Sequence, residues 1–571
     1  MHEQNRGFFP NKEEIRKAIY TFSSKKMVIF LITLGAFIVS GFLILNKINQ
    51  KFLIERPLKG GSVTEGVIGS PRFINPVLAG TPTDEDLVSL IFSGLMKKDE
   101  NQNIVENLAQ SYTVSENGNI YTFTIKESAK FHDGTPVRAD DVVFTINKIK
   151  DGTLKSPEQQ NWSNISVTKI DERTVEFRLG SQYASFLEST TIGILPSHIW
   201  QEIESGDFIF SDLNIEAVGS GPYQIKNIDK KKNGLIESIT LKSFNKYTEG
   251  EAYIDTIKFK FYRNKEDLIK AFRKNKVDNI NSISGYDAQI LKEDGAEVRS
   301  IKLSRVFGLF FNANKQEIFR NKQIVKAIEL GINKDQIIQE VLNGYGEKIS
   351  GPIPTTILSK EVSQEKEYNL KIEEANSLLS KEGWAISESG YRVKDGKTLS
   401  FSISTGDASE LQTASNIIKE NLKNLGISVE IKVFEIANLN QSIIRPREYE
   451  SLFFGQIITN DSDLFAFWHS SQRNDPGLNI SSYTNSKVDG LLQKLIVTKE
   501  TEEKQKILSE IDSEIIKDMP AVFIYSPNFI YAVNEKIKNI NLQEVVLPND
   551  RLNNVNKWYT RTEKVWNFLN N

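Results

Sequence analysis

The chain has 571 residues, a formal net charge of −3 and a pI near 6.1. It is too long for one hydrophobic core, so two or three domains are expected, and the absence of any basic face argues against a nucleic-acid partner. Cysteine is absent, which excludes disulfides, thiolate catalysis and Cys-ligated zinc or iron–sulfur centres.

Residues 27–45, MVIFLITLGAFIVSGFLIL, form an uncharged apolar run of nineteen residues. At roughly 1.5 Å per residue, a helix of that length just crosses a hydrocarbon core of about 30 Å. The run reads as an uncleaved membrane anchor. A cleaved signal peptide is the rival, but its n-region would be unusually long and NKINQK (46–51) offers no small-x-small cleavage pattern. A buried core helix would need a polar face that the run lacks. Arg6, Lys12, Arg16, Lys17, Lys25 and Lys26 precede the span, whereas only Lys47, Lys51, Arg56 and Lys59 follow it closely. That bias favours an inside N terminus, making 1–26 a cytoplasmic segment. Residues 46–60 read as a short polar stalk, and Gly60-Gly61 opens the fold.

Further on, 112–115 and 120–125 alternate as strands do, with Glu116-Asn117-Gly118-Asn119 as the tight turn between them. A second turn, His132-Asp133-Gly134-Thr135-Pro136, leads into a helix over 138–148, where Ala139, Val142, Val143 and Ile146 recur at helical spacing. Residues 167–179 read as strand–turn–strand around Asp171-Glu172-Arg173, and 236–243 and 256–262 as further strands. An amphipathic helix over 266–275 turns Leu268, Ile269, Ala271 and Phe272 inward. Beyond about 320, helices dominate: 324–330, 337–342, 373–382 and 411–425, the last capped by Gly426. A strand follows over 427–433. The alternation predicts a mixed α/β or α+β fold, and no internal repeat is visible.

The segment 108–144 carries, in order, LA-x-S, G-x-x-YTF and FHDGTP-x-x-ADDVVF. This resembles the signature of family 5 solute-binding proteins, the peptide- and nickel-type extracytoplasmic receptors of ABC importers. Gly61-Ser62-Val63-Thr64-Glu65-Gly66 and Pro71-Arg72-Phe73-Ile74-Asn75-Pro76 are similar to that family's opening strand and loop, and Val218-Gly219-Ser220-Gly221-Pro222-Tyr223 to its "GTGPY" turn. Phe310-Phe311-Asn312, Ala327-Ile328, Gly344-Tyr345-Gly346 and ANSLLSKEGW (375–384) extend the resemblance over nearly all of the chain from residue 60.

The resemblance implies a two-lobed periplasmic-binding-protein-like fold (type II, cluster C-like) with an inserted extra domain, beside the N-terminal transmembrane helix. Lobe one would take 61–100, 200–305 and 521–571, the inserted domain 101–199, and lobe two 306–520. It implies a monomeric, non-enzymatic subunit that binds oligopeptides in the cleft and delivers them to permease subunits with associated ATPases, without cofactor or metal. A receptor for a nickel chelate, haem or sugar is the alternative within the class. A surface enzyme, or a peptide-capturing sensor or chaperone uncoupled from transport, is the alternative outside it. Without cysteine, the lipidated cysteine that commonly tethers such receptors is excluded, so the N-terminal helix takes that role. The protein is then single-pass in the cell membrane, with the large domain on the extracytoplasmic face.

Catalytic constellations do not emerge. The histidines are His2, His132, His198 and His469, no G-x-S-x-G elbow surrounds any serine, and no P-loop is present. His132-Asp133 reads as part of a turn rather than a metal pair, and His198 as a packing residue.

Ligand contacts are expected over 449–483, YESLFFGQIITNDSDLFAFWHSSQRNDPGLNISSY. Residues 450–458 read as a buried strand carrying Gly455 and Ile457, and 459–463 as the loop at its end. By resemblance both face the cleft, and an aspartate near the loop pairs with the ligand's α-amino group, a role that requires a carboxylate. The family's spacing puts that aspartate three residues before an Asp-Pro, yet Asp475-Pro476 lies well downstream. Aligning on Asp463 places Asn460 at the amine position, and aligning on Asp461 places Ile458 there. Asp461 and Asp463 are therefore the candidates, with a solvated loop acid or a helix cap as the alternative. Trp468 and His469 suit a ligand wall, with Asn479 and Tyr483 beyond. From the other lobe, Arg72, Phe73 and Asn75 lie in the loop that resembles the cleft edge. Arg72 would take a ligand carboxylate bidentately, unless it is simply a surface arginine.

Overall fold

The computed structural model describes residues 12–21, 23–100, 102–180, 186–358, 368–498, 500–542 and 545–566. His2 and the rest of 1–11, and the end of the last segment expected for lobe one (567–571), lie outside the described residues. The chain divides into two compact units, Met1–Leu58 with Arg561–Asn571, and Lys59–Thr560.

In the first unit a short helix, Lys12–Tyr20, precedes the long helix Ser24–Phe52. Its span Ser24–Lys47 is long and apolar enough to cross a membrane, and no part of it is buried. The expected stalk is ordered: the helix runs on to Phe52, and Leu53–Leu58 is a strand paired antiparallel with Arg561–Trp566. Opposite charges face each other across this ribbon, Glu55 against Lys564 and Arg56 against Glu563, which favours the pairing. Pro57 is tolerated because a two-stranded ribbon has only edge strands.

The second unit is organised by one long mixed sheet. Its order is Ser428–Phe434, Ser400–Gly406, Ser451–Ile457, Arg305–Phe311, Ala521–Val533, Asn279–Asn281, Ser62–Ile68, Thr256–Tyr262, Ile236–Ser243 and Tyr223–Lys230. The strand Ala521–Val533 is shared. Its first part pairs with Arg305–Phe311 and its last part with Glu297–Lys302. The hydrophobic cores divide at the same place. Leu303, Phe529 and Tyr531 belong to the cluster of the opening strand, whereas Val306, Leu309, Phe523 and Tyr525 belong to clusters built with the helices after 320. Two crossovers, at 303–306 and 525–529, therefore join two lobes, and the buried Ser526 hydroxyl ties them by donating to the Leu303 carbonyl (2.9 Å).

A separate four-stranded antiparallel sheet, Ala109–Val114, Ile120–Ile125, Thr174–Leu179 and Ile165–Lys169, is covered by the helix Ala139–Lys150. Two of the sequence motifs meet behind it. The His132 main chain donates to the Gly219 carbonyl (2.8 Å), the Gly219 N–H donates to His132 Nδ1 (3.2 Å), and Nε2 lies 3.1 Å from the Gly221 carbonyl. Nδ1 is thus an acceptor and the proton sits on Nε2, the neutral tautomer. A Cβ on Gly219 or Gly221 would overlap the main chain of Leu90 and Ile91, so this turn admits no side chain at either position.

Candidate ligand cleft

The strand Ser451–Ile457 is apolar at its start and is partnered along its whole length by Arg305–Phe311, from Phe311 opposite Ser451 to Arg305 opposite Ile457. On its other side Ser400–Gly406 reaches only Ser451 and Leu452. The Ile458 N–H donates to the Ser304 carbonyl (3.1 Å), so the main-chain groups of even-numbered residues face Arg305–Phe311. Alternation turns those of Gly455 and Ile457 the opposite way, onto an open edge. Such an edge is a template for an incoming extended chain. Gly455 is required here because a Cβ would lie 2.7 Å from the Phe307 ring, itself stacked on Tyr525 with centroids 4.8 Å apart.

At the end of this strand the two candidate aspartates already have partners. Asn460 caps the helix Asp461–Trp468, its Oδ1 accepting from the N–H groups of Ser462 (2.9 Å) and Asp463 (3.3 Å). Asp463 reciprocates, Oδ2 accepting from the Thr459 N–H (2.6 Å), the Thr459 hydroxyl (2.6 Å) and the Asn460 N–H (3.2 Å). This is a capping box. Asp461, buried, pairs with Lys504 at 2.5 Å. Glu188 of the short helix Phe186–Ser189 faces this corner. Burial, foremost, holds its carboxyl above the usual range; Lys98 and Lys504 oppose the shift, and Asp461 and Asp463 add to it. Asp463→Ala is expected to lower stability by about 1 kcal/mol, the typical worth of a cap, read as the midpoint of urea unfolding. An unchanged midpoint would remove the capping role.

The structure places the remaining expected residues as follows. Trp468 is fully buried against Phe310, Tyr483 and Phe523. His469 is buried, stacks on Phe465 at 4.1 Å, and accepts from the Ser471 N–H at Nδ1. Asn479, with no exposed surface, donates to the carbonyls of His469 and Tyr483 and accepts from the Tyr483 N–H. The Tyr483 hydroxyl donates to Asp518 (2.7 Å). All four side chains are buried: the polar groups of His469, Asn479 and Tyr483 are used on neighbouring main chain and side chains, while the Trp468 indole N–H is buried without an acceptor among the described residues. Asn75 is likewise internal, bonded to Asn214 (3.0 Å) and the Val77 N–H. Phe73 is half-buried. Arg72 is exposed, its guanidinium 5.4 Å from the Phe73 ring centroid, while Asp84 holds the N–H groups of both.

Two charged residues that the sequence reading did not select sit in different lobes, close enough for the field of one to act on the other. Glu85, on the helix Pro82–Ile91, lines a cavity of about 300 Å³ with Glu158 and Asp550. Burial first, then the charges of Asp86, Asp84, Glu158 and Asp550, push its carboxyl up to about 7. Arg305 heads the strand Arg305–Phe311 in the other lobe. Burial acts against its charge, and the field of Glu85 supports it. The available signals were a lone arginine opening an apolar strand (RVFGLFF) and an Asp-Glu-Asp run over 84–86.

Comparison with known proteins agrees with this architecture. The family model for bacterial extracellular solute-binding proteins, family 5 Middle, matches residues 103–477. The oligopeptide-binding protein AppA of Bacillus subtilis (strain 168) is 28% identical over 519 residues, covering 88% of this chain and 92% of that protein. The dipeptide-binding protein of Escherichia coli (strain K12) is 23% identical over 499 residues, covering 82% and 90%. The structure of B. subtilis AppA in complex with a nonapeptide matches with a TM-score of 0.69 at 25% identity, over 89% of this chain and 100% of that one. CtaP from Listeria monocytogenes matches in fold with a TM-score of 0.73 at 24% identity, over 88% and 99%. With the signature motifs, the two lobes and this match across most of its length, the chain belongs to the bacterial extracellular solute-binding proteins of family 5.

Proposed function

We propose that the protein is the extracytoplasmic substrate-binding subunit of an ABC importer, taking up oligopeptides in the cleft and presenting them to a permease with its ATPases. The observation that carries this reading is the open strand edge at Gly455 and Ile457, whose main-chain groups match those of an extended peptide. The relative AppA is named an oligopeptide-binding protein and its structure holds a nonapeptide, which supports the same ligand class. Affinity then comes from burial and main-chain hydrogen bonds as the lobes close about the two crossovers. Capture makes and breaks no covalent bond. The half-buried Phe73 and exposed Arg72 stand as rim contacts from lobe one. The helix Ser24–Phe52 is taken as an uncleaved single-pass anchor of a monomer, with the unit Lys59–Thr560 outside the membrane.

The test is mass spectrometry of ligand released from the full-length protein purified in detergent, followed by calorimetry with a peptide so identified. Ile457→Pro deletes an N–H on the open edge and leaves the ladder to Arg305–Phe311 in place. Affinity is expected to fall about 3–10-fold, the net worth of one hydrogen bond. Release of a chelate, haem or sugar instead of peptides would overturn the reading, and unchanged affinity in Ile457→Pro would remove strand pairing from it.

A further inference from the structure

We infer that Arg305 is the anion-binding residue of the cleft, receiving a carboxylate of the bound peptide. This deepens the proposed function and rests on it. Among the described residues no ion pair or side-chain hydrogen bond engages Arg305, and its Nε is buried without an acceptor. Arg305 is half-buried, and its Nε has given up water without gaining an acceptor, which costs free energy until one arrives. Several nearby charges are already engaged: Asp461 with Lys504, Asp463 in its cap, one oxygen of Asp84 with the main chain of Arg72 and Phe73, and Asp86 with Arg551.

Glu85 is the acid whose field reaches Arg305, yet the two form no ion pair. Crowding by Asp84, Asp86, Glu158 and Asp550 disfavours the charge on Glu85, so it is a poor counterion. In its protonated form it can donate a hydrogen bond to a carboxylate held at Arg305.

The position in the fold also fits. Arg305 stands opposite Ile457, at the end of the open edge, so a peptide paired along Gly455 and Ile457 brings one end of its chain, or a side chain near it, to the guanidinium. The planar fork matches a carboxylate with two parallel N–H donors. The carboxylate is either the peptide's C terminus or an Asp or Glu side chain.

The experiment uses full-length protein in detergent and three pools of random nonapeptides: one without Asp or Glu and with free C termini, the same pool as C-terminal amides, and an amidated pool carrying one Glu per peptide. Capture is read by native mass spectrometry. Wild type is expected to prefer at least one carboxylate-bearing pool over the neutral amide pool by about thirtyfold or more, the low end for a buried charge-paired contact. Preference for the first pool identifies the C terminus, and preference for the third a side chain. Arg305→Gln is expected to bring that ratio to near unity while still capturing the neutral amides. Arg305→Lys keeps the charge without the fork and should give an intermediate ratio; it carries the test if Arg305→Gln does not fold. Equal capture of all pools by wild type, or an undiminished ratio in the variants, would overturn the inference alone. Capture of no pool by wild type would overturn the peptide reading and this inference with it.

Discussion

Arg551→Met is expected to destabilise the protein by about 3–5 kcal/mol, the cost of leaving buried charges unpaired. Arg551 has no exposed surface, and its guanidinium takes Asp86 in a two-pronged grip, Nη1 and Nη2 each at 2.6 Å. Nε and Nη2 also reach Glu65 Oε1 at 3.1 and 3.0 Å, and Nη1 donates to the Pro548 carbonyl (2.8 Å). The other oxygen of Glu65 accepts from the Tyr531 hydroxyl (2.9 Å), which in turn accepts from Asn279 (2.9 Å). Burial works against the Arg551 charge, but Asp86 and Glu65 more than offset it and hold its pKa above the ordinary value. Glu65 is held above its own, mainly by burial, with Arg551 opposing the shift. Methionine fills much of the volume but leaves two carboxylates in one dry site, so at least one must bind a proton. The network joins the turn Pro548–Leu552 to the opening strand Ser62–Ile68 and the helix Pro82–Ile91, so its loss loosens all of lobe one. Urea unfolding followed by tryptophan fluorescence measures the effect. The deficit should widen as pH rises, because the stranded carboxylates then ionise. A loss below about 1 kcal/mol, the range of an exposed pair, would show that the cluster does not hold the lobe.

Much of this fold is legible because local rules and tertiary packing agree. The turn at 116–119, the alternating strands beside it and the helix ended by Gly426 follow from backbone chemistry that a few residues determine. The family motifs are legible for a related reason: His132 and the glycines at 219 and 221 are one contact seen from two places in the chain. The strand Leu53–Leu58 within 46–60 is not legible because its partner strand, Arg561–Trp566, is about five hundred residues away. Periodicity carries no information about pairing at that distance. At the site, spacing located the loop but not the function of its acids. Asn460 and Asp463 stand at the reciprocal spacing of a capping box, which competes with ligand pairing for the same oxygens. Trp468, His469, Asn479 and Tyr483 look like a wall in sequence because density of polar and aromatic groups does not say which way they point. Glu85 stands out through burial among like charges and Arg305 through an Nε without an acceptor among the described residues, and both are properties of three dimensions.

Acidification from pH 7 to about 4.5 is expected to shift the stabilities of two single variants relative to wild type in opposite directions. His132 is buried against Gly219 and Gly221, and burial, opposed by the Gly221 carbonyl and Asp133, lowers its pKa to about 4. Between the unfolded value near 6.5 and that figure the unfolded chain binds a proton that the folded one does not, so stability falls as pH falls through this window. At 1.36 kcal/mol per unit the loss is about 3 kcal/mol. Glu85 acts with the other sign. Its carboxyl, raised from 4.5 to about 7, keeps its proton in the folded state over nearly the same range, so stability rises as pH falls from 7 to 4.5. Asp141, Glu188 and Glu65, all held up chiefly by burial, add to the Glu85 side. Asp133 and Asp518 have pKa values held below 3.8 and lose their contribution only at lower pH. His132→Gln keeps a donor and an acceptor without a titrating ring, and its unfolding midpoint should climb on acidification from 7 to 4.5. Glu85→Gln removes one opposing group, and its midpoint should fall relative to that of wild type over the same interval. Melting temperatures at half-unit pH steps separate the two. Superimposable profiles for wild type and His132→Gln would show that the ring does not couple folding to protons, and superimposable profiles for wild type and Glu85→Gln would show the same for the Glu85 carboxyl.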